Sequence, residues 1–146
     1  MGNVDLIIKR VFNASPEDVF DAWIDPKQVE QWYGPDGFAN EIHEFDVREG
    51  GTYRLTMKAP NGEAHPLRGT FKTIERPTKL AFTWQWENAR GVDAMGKETT
   101  VTVEFKKIGD KTEMTMIHGG FVDEKVKELH NQGWSPSFGK LEKLLK

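Results

Sequence analysis

His118 is the polar side chain whose neighbours most invite chemistry. In the run Met114-Thr115-Met116-Ile117-His118, alternate residues of an extended chain share a face, which sets an imidazole among thioethers. Such a ring can hydrogen-bond a ligand carbonyl or act as a general base. The competing reading is a histidine satisfied by backbone or water at a strand end. His43, His65 and His130 lack paired ligand spacing, and Glu128 and His130, two apart, do not share a helical face, so no metal site is expected. The chain has no cysteine, which removes thiolate ligands, disulfides and thiol nucleophiles. No Gly-x-Ser-x-Gly occurs, and Ser15, Ser135 and Ser137 read as caps or kink residues. Glu17, Asp18, Asp123 and Glu124 read as helix-start charges rather than a buried acid pair. Gly50-Gly51 joins two strands instead of opening a helix, so it is a turn and not a phosphate loop. No catalytic residue and no cofactor is assigned on these grounds.

The aromatic side chains say more. Aromatic residues make up 11% of a rather polar chain, with five Trp and nine Phe, so large rings must form much of the core or of a pocket wall. Leu80, Phe82, Trp84 and Trp86 share one strand face and Ala81, Thr83 and Gln85 the other. Tyr53, Leu55 and Met57 alternate with Arg54 and Thr56, and Val101, Val103 and Phe105 with Thr100, Thr102 and Glu104. This predicts an antiparallel sheet with one apolar and one wet face. Val126, Leu129, Gly133, Trp134, Phe138, Leu141, Leu144 and Leu145 recur at helical spacing and supply the lid for the apolar face. Pro136 is expected to kink that helix or divide it after Ser135.

The remaining elements follow from punctuation. Asp5 to Phe12 reads as a strand, and Ser15-Pro16-Glu17-Asp18 opens a short helix with Val19, Phe20, Trp23 and Ile24 on one face. Asp25-Pro26 ends it, and a second short helix carries Val29 and Trp32. Strands are expected near 39–46, 52–58, 67–75, 80–86, 99–107 and 112–118, joined by short turns of the antiparallel kind. Ile42 and Phe45 fall on opposite parities, which predicts a bulge. The longest connector, Glu87 to Glu98, is either a lip over a cavity or a solvated hairpin. Arg48 and Arg54 are expected to pair with surface acids.

The 146 residues favour one domain, 1–146, with neither internal repeat nor low-complexity stretch. A net charge of −3 and a pI near 5.8 offer nucleic acid no basic footprint. Apolar runs are too short to span a membrane, and Leu6-Ile7-Ile8 runs into Lys9-Arg10 before it can form a signal-peptide core. The cytoplasm is the expected location.

Several segments together carry a family resemblance: Ser15-Pro16 with Trp23 and Asp25-Pro26; Trp32-Tyr33-Gly34-Pro35; Asp46-Val47-Arg48-Glu49-Gly50-Gly51-Thr52-Tyr53-Arg54; Leu80-Ala81-Phe82-Thr83-Trp84; His118-Gly119-Gly120-Phe121; and Gly133-Trp134 followed by Leu141. In this order they resemble the activator of Hsp90 ATPase homologue-like family, within the START-related (Bet v 1-like, SRPBCC) superfamily. The resemblance implies an α+β helix-grip fold: a curved antiparallel seven-stranded sheet, two short helices and a long C-terminal helix, with a pocket between sheet and helix. The superfamily includes lipid carriers, hormone receptors, polyketide cyclases and a few other enzymes, and fold alone does not choose among them.

The resulting expectation is a non-catalytic module enclosing a small hydrophobic molecule or lipid, as monomer or homodimer. Its expected lining is Tyr53, Phe71, Phe82, Trp84, Trp86, Met116, His118, Trp134 and Phe138, with Gly69 and Gly133 leaving space between them. Solid packing of the same rings is the alternative. So, at the level of function, are a protein-interaction domain of stress-response or co-chaperone type and a small cyclase- or hydrolase-type enzyme using His118.

Overall fold

The strand and turn pattern is realised almost throughout in the computed structural model, which describes residues 4–87 and 97–145. The elements are β1 (Val4–Phe12), α1 (Pro16–Ile24), α2 (Pro26–Trp32), β2 (Ala39–Phe45), β3 (Thr52–Lys58), β4 (Ala64–Glu75), β5 (Lys79–Trp86), β6 (Thr99–Ile108), β7 (Lys111–Phe121) and α3 (Glu124–Leu144). The seven strands form one antiparallel sheet in the order β1-β7-β6-β5-β4-β3-β2. Each strand from β2 to β7 thus lies beside the next in sequence, and β1 closes the row against β7. With α3 packed against β1, β7 and α2, this is the helix-grip α+β fold.

Local chemistry sets the boundaries. The Ser15 hydroxyl accepts from the Asp18 N–H at 3.2 Å and Pro16 follows at the first helical position, where no N–H is needed. The Asp25 carboxylate caps α2 through the Lys27 N–H at 3.0 Å. The β2–β3 register shifts between Ile42 and Glu44, which places the expected bulge at His43 and brings both Ile42 and Phe45 against the core. Arg48 pairs with Asp46 and Arg54 with Glu87 at the surface.

Four expectations change. Pro136 does not divide α3, which is unbroken across it. A proline removes one backbone donor, and Trp134, Phe138 and Leu141, all buried, hold the helix to the core on both sides of the gap. The outer positions of β5 are not wet: Ala81 and Thr83 are buried because β5 is the central strand, and the Thr83 hydroxyl accepts the Thr70 N–H at 2.8 Å. Leu129 is 40% exposed, and His130 takes the inward position on α3. Gly69 leaves no hollow either, because the Tyr53 ring lies on it and donates its hydroxyl to the Thr83 carbonyl. The expected lip at Glu87 to Glu98 falls mostly on residues 88–96, outside the described residues. Among the described residues, no helix is long and apolar enough to cross a membrane.

Candidate functional site

The sheet–helix interface is solid at one end and hollow at the other. At the hollow end lies a cavity of about 790 Å³, open to solvent on one side. β5 contributes Trp84 and Trp86, β3 contributes Met57, and the start of β4 contributes Ala64 and His65. Across from them α3 contributes Leu129, His130, Gly133, Trp134 and Ser137, and the α2–β2 loop adds Tyr33, Gly34, Pro35 and Phe38. Gly133 is what keeps the helix wall thin, since a β-carbon there would meet nothing within 4 Å.

Two indoles of this wall are held by histidines, one buried behind it and one on the wall itself. The Trp134 Nε1–H donates to His118 Nδ1 at 3.0 Å, and the Trp86 Nε1–H donates to His130 Nε2 at 3.1 Å. Each histidine must present a lone pair to its tryptophan, which fixes its tautomer. His118 therefore carries its proton on Nε2, which meets the Thr99 hydroxyl at 2.7 Å, and that hydroxyl donates to the Trp84 carbonyl at 3.1 Å. His130 carries its proton on Nδ1, which meets the Val126 carbonyl at 2.9 Å. Burial, and then the neighbouring His130, pushes the His118 pKa well below its usual value. Burial lowers that of His130 as well, against the opposing pull of the Val126 carbonyl. Both imidazoles are neutral, and both are hydrogen-bonded at each nitrogen. His118 is fully buried and does not line the cavity, so it offers no free nitrogen for general-base chemistry.

The loop that forms the lip is strapped to α3. The Ser137 hydroxyl lies 2.9 Å from the Gly34 carbonyl, and Lys140 Nζ lies 3.2 Å from the Pro35 carbonyl and 3.4 Å from that of Tyr33. Asn40 Nδ2 donates to the same Tyr33 carbonyl at 2.9 Å. Gly34 turns with φ +88°, a conformation that L side chains rarely adopt. Partial burial lowers the Lys140 pKa, with Asp36 opposing. No group of side chains that could hold a metal ion occurs among the described residues.

A family model described as activator of Hsp90 ATPase homolog 1-like protein matches residues 13–146. The chain belongs to that family. No curated protein matches it. Among solved structures, a protein of Chromobacterium violaceum superposes with a TM-score of 0.88 at 24% identity, covering 97% of this chain and 96% of the other. A protein of Arthrobacter aurescens gives 0.87 at 25%, over 98% and 86% of the two chains. A protein of Silicibacter pomeroyi described as AHSA1 gives 0.84 at 27%, over 97% of both. Membership of the Hsp90-activator-homologue family, together with this fold, supports a ligand-binding or interaction module.

Of the nine residues expected to line the pocket, Trp84, Trp86 and Trp134 stand on the cavity wall of this family member. Tyr53, Phe71, Phe82, Met116, His118 and Phe138 are not on it; they pack in the core around and behind it. Tyr53, Phe71 and Phe82 form one cluster, with ring centroids 5.6 to 6.1 Å apart. Sequence reasoning missed Tyr33, Phe38, Met57, His65 and His130 as lining residues. His130 had a signal: with Val126 and Trp134 it stands at i, i+4 and i+8 on the buried face. The loop residues had none, because irregular backbone carries no period.

Proposed function

We propose that the chain is a non-catalytic module that encloses a small hydrophobic molecule between its sheet and α3. The observation that carries this reading is the cavity of about 790 Å³ walled by Trp84, Trp86 and Trp134, the last two with their N–H groups tied back into the protein. Ligand pockets run to roughly 300–1,000 Å³ and are mostly apolar with few polar groups. Tethering Trp86 and Trp134 through their nitrogens holds the rings in place without a ligand, so binding costs little reordering. The occupied nitrogens of His118 speak against the enzyme alternative. A cytoplasmic location belongs to the same reading.

The test is to fill the hollow without touching the core. Gly133→Leu places a side chain where the structure has open space. The uncharged fluorophore 1-aminoanthracene is expected to bind the wild type saturably, and Gly133→Leu is expected to weaken it at least tenfold while circular dichroism and Tm are retained. Failure of the wild type to bind, or equal binding by the variant, would count against the cavity as the site.

A further inference from the structure

Nearly all polar side-chain atoms deep on the cavity wall are spent inside the protein. The nitrogens of Trp86, Trp134 and His130 are committed as described, and the Ser137 hydroxyl sits between the Gly34 and Gly133 carbonyls. Tyr33 is the exception. Its side chain is 3% exposed and lines the cavity, yet its hydroxyl makes no hydrogen bond among the described residues. The Trp84 Nε1–H is also unpartnered, but it is shut away from open space. Among the described residues no lysine or arginine lines the cavity, and the one carboxylate there, Glu63, stands exposed. Burial raises the Tyr33 pKa far above 10, so the phenol keeps its proton and acts as a donor.

Resting on the cavity reading above, we propose that the Tyr33 hydroxyl donates to a single uncharged acceptor oxygen at the buried end of the ligand. The cavity then selects apolar molecules bearing a ketone, aldehyde or ester carbonyl over hydrocarbons or carboxylates of the same size. A hydrocarbon pressed against Tyr33 strips the phenol of water and gives it no acceptor in return. A carboxylate needs a cation or several donors to leave water, and one phenol is neither. A carbonyl matches the one free buried donor with one acceptor and brings no charge; the His65 ring, also on the wall, is half-buried and stacked on Phe38.

Isothermal titration calorimetry with 2-acetylnaphthalene, 2-isopropenylnaphthalene and 2-naphthoate tests this, because the three share a ring system and differ at the polar end. The wild type is expected to bind the ketone about tenfold or more tighter than the hydrocarbon, a difference typical of a buried donor left without its acceptor. It is expected to bind the carboxylate weakest. Tyr33→Phe is expected to bring the two together, the ketone weakened by loss of its donor and the hydrocarbon tightened because no phenol is left without an acceptor. Equal affinity for ketone and hydrocarbon in the wild type overturns the selection by Tyr33 whatever the variant does. A ketone preference that survives Tyr33→Phe overturns it too. If in either case Gly133→Leu abolishes binding of all three, the cavity itself stands. Failure of all three to bind the wild type overturns the cavity reading and this inference together.

Discussion

The same three strands, β3, β4 and β5, end in two different ways. Toward the β2–β3 turn, Tyr53, Phe71 and Phe82 interlock with Phe45, and Trp23 of α1 reaches Phe82 at 6.0 Å and Phe138 at 6.0 Å. Toward the β3–β4 turn, Met57, His65, Trp84 and Trp86 face a hollow. Both ends are aromatic, so composition does not separate them. What separates them is where the polar atom of each ring goes and where a glycine stands. Tyr53 lies flat on Gly69 and caps the Thr83 carbonyl of its own sheet, which draws the ring down into the strands. Trp134 sends its N–H to His118 behind the wall and Trp86 to His130 on it, and Gly133 on the facing helix supplies nothing to fill the gap.

The contrast predicts opposite outcomes for one substitution at two glycines. At Gly69 a methyl would run into the Thr83 carbonyl oxygen and the Tyr53 ring, one of them backbone and the other pinned by its hydroxyl. Gly69→Ala is therefore expected to destabilise the fold by about 3 kcal/mol, at the upper end for overpacking. Urea denaturation measures it, and a loss under about 1 kcal/mol would mean the Tyr53 end is not as tightly closed as described.

A second difference lies in pH. The hollow end depends on two neutral imidazoles, His118 and His130, whose folded-state pKa values lie below the ordinary 6.5. The unfolded chain takes up protons that the folded chain refuses, so stability falls as pH drops through 6.5 toward the folded values and is fully present above it. Each imidazole contributes a slope of about 1.4 kcal/mol per pH unit at most within that window. Protonated His130 would turn an N–H toward the Trp86 N–H, which ties the loss to the cavity wall. The expected outcome is a Tm that declines between pH 6.5 and pH 5, with the decline about halved in His130→Gln, whose amide can still accept from Trp86. A flat Tm in wild type over that range would show that these histidines are not held neutral.

The sheet was legible in the sequence because alternation is a local property and most strands here bury one face, the central β5 being the exception. The bulge at His43 was legible for the same reason, as a break of parity between Ile42 and Phe45. The cavity was not, because parity assigns a face and not a distance along the strand. Phe82 and Trp84 share a face, yet only Trp84 reaches the hollow. The apolar positions of α3 put Leu129 on the lid face, although His130 has the better helical phase. A neutral histidine with both nitrogens bonded behaves as a core residue, and nothing in its own letter says so. Tyr33 sits in a loop, and its role depends on what α3 brings against it from a hundred residues away.

The smallest effect comes from the second glycine. Gly133 lies inside α3, where glycine costs backbone entropy relative to alanine and exposes the helix. A β-carbon at this position meets nothing within 4 Å, so Gly133→Ala has the helical gain with no clash against it. The expected result is a stabilisation of about 0.5–1 kcal/mol by urea denaturation, opposite in sign to Gly69→Ala. The methyl is too small to occlude a cavity of about 790 Å³, so binding of 1-aminoanthracene should persist where Gly133→Leu removes it. A destabilised Gly133→Ala would mean that the gap beside the helix is smaller than the structure gives, and that the two ends of the interface differ less than their glycines suggest.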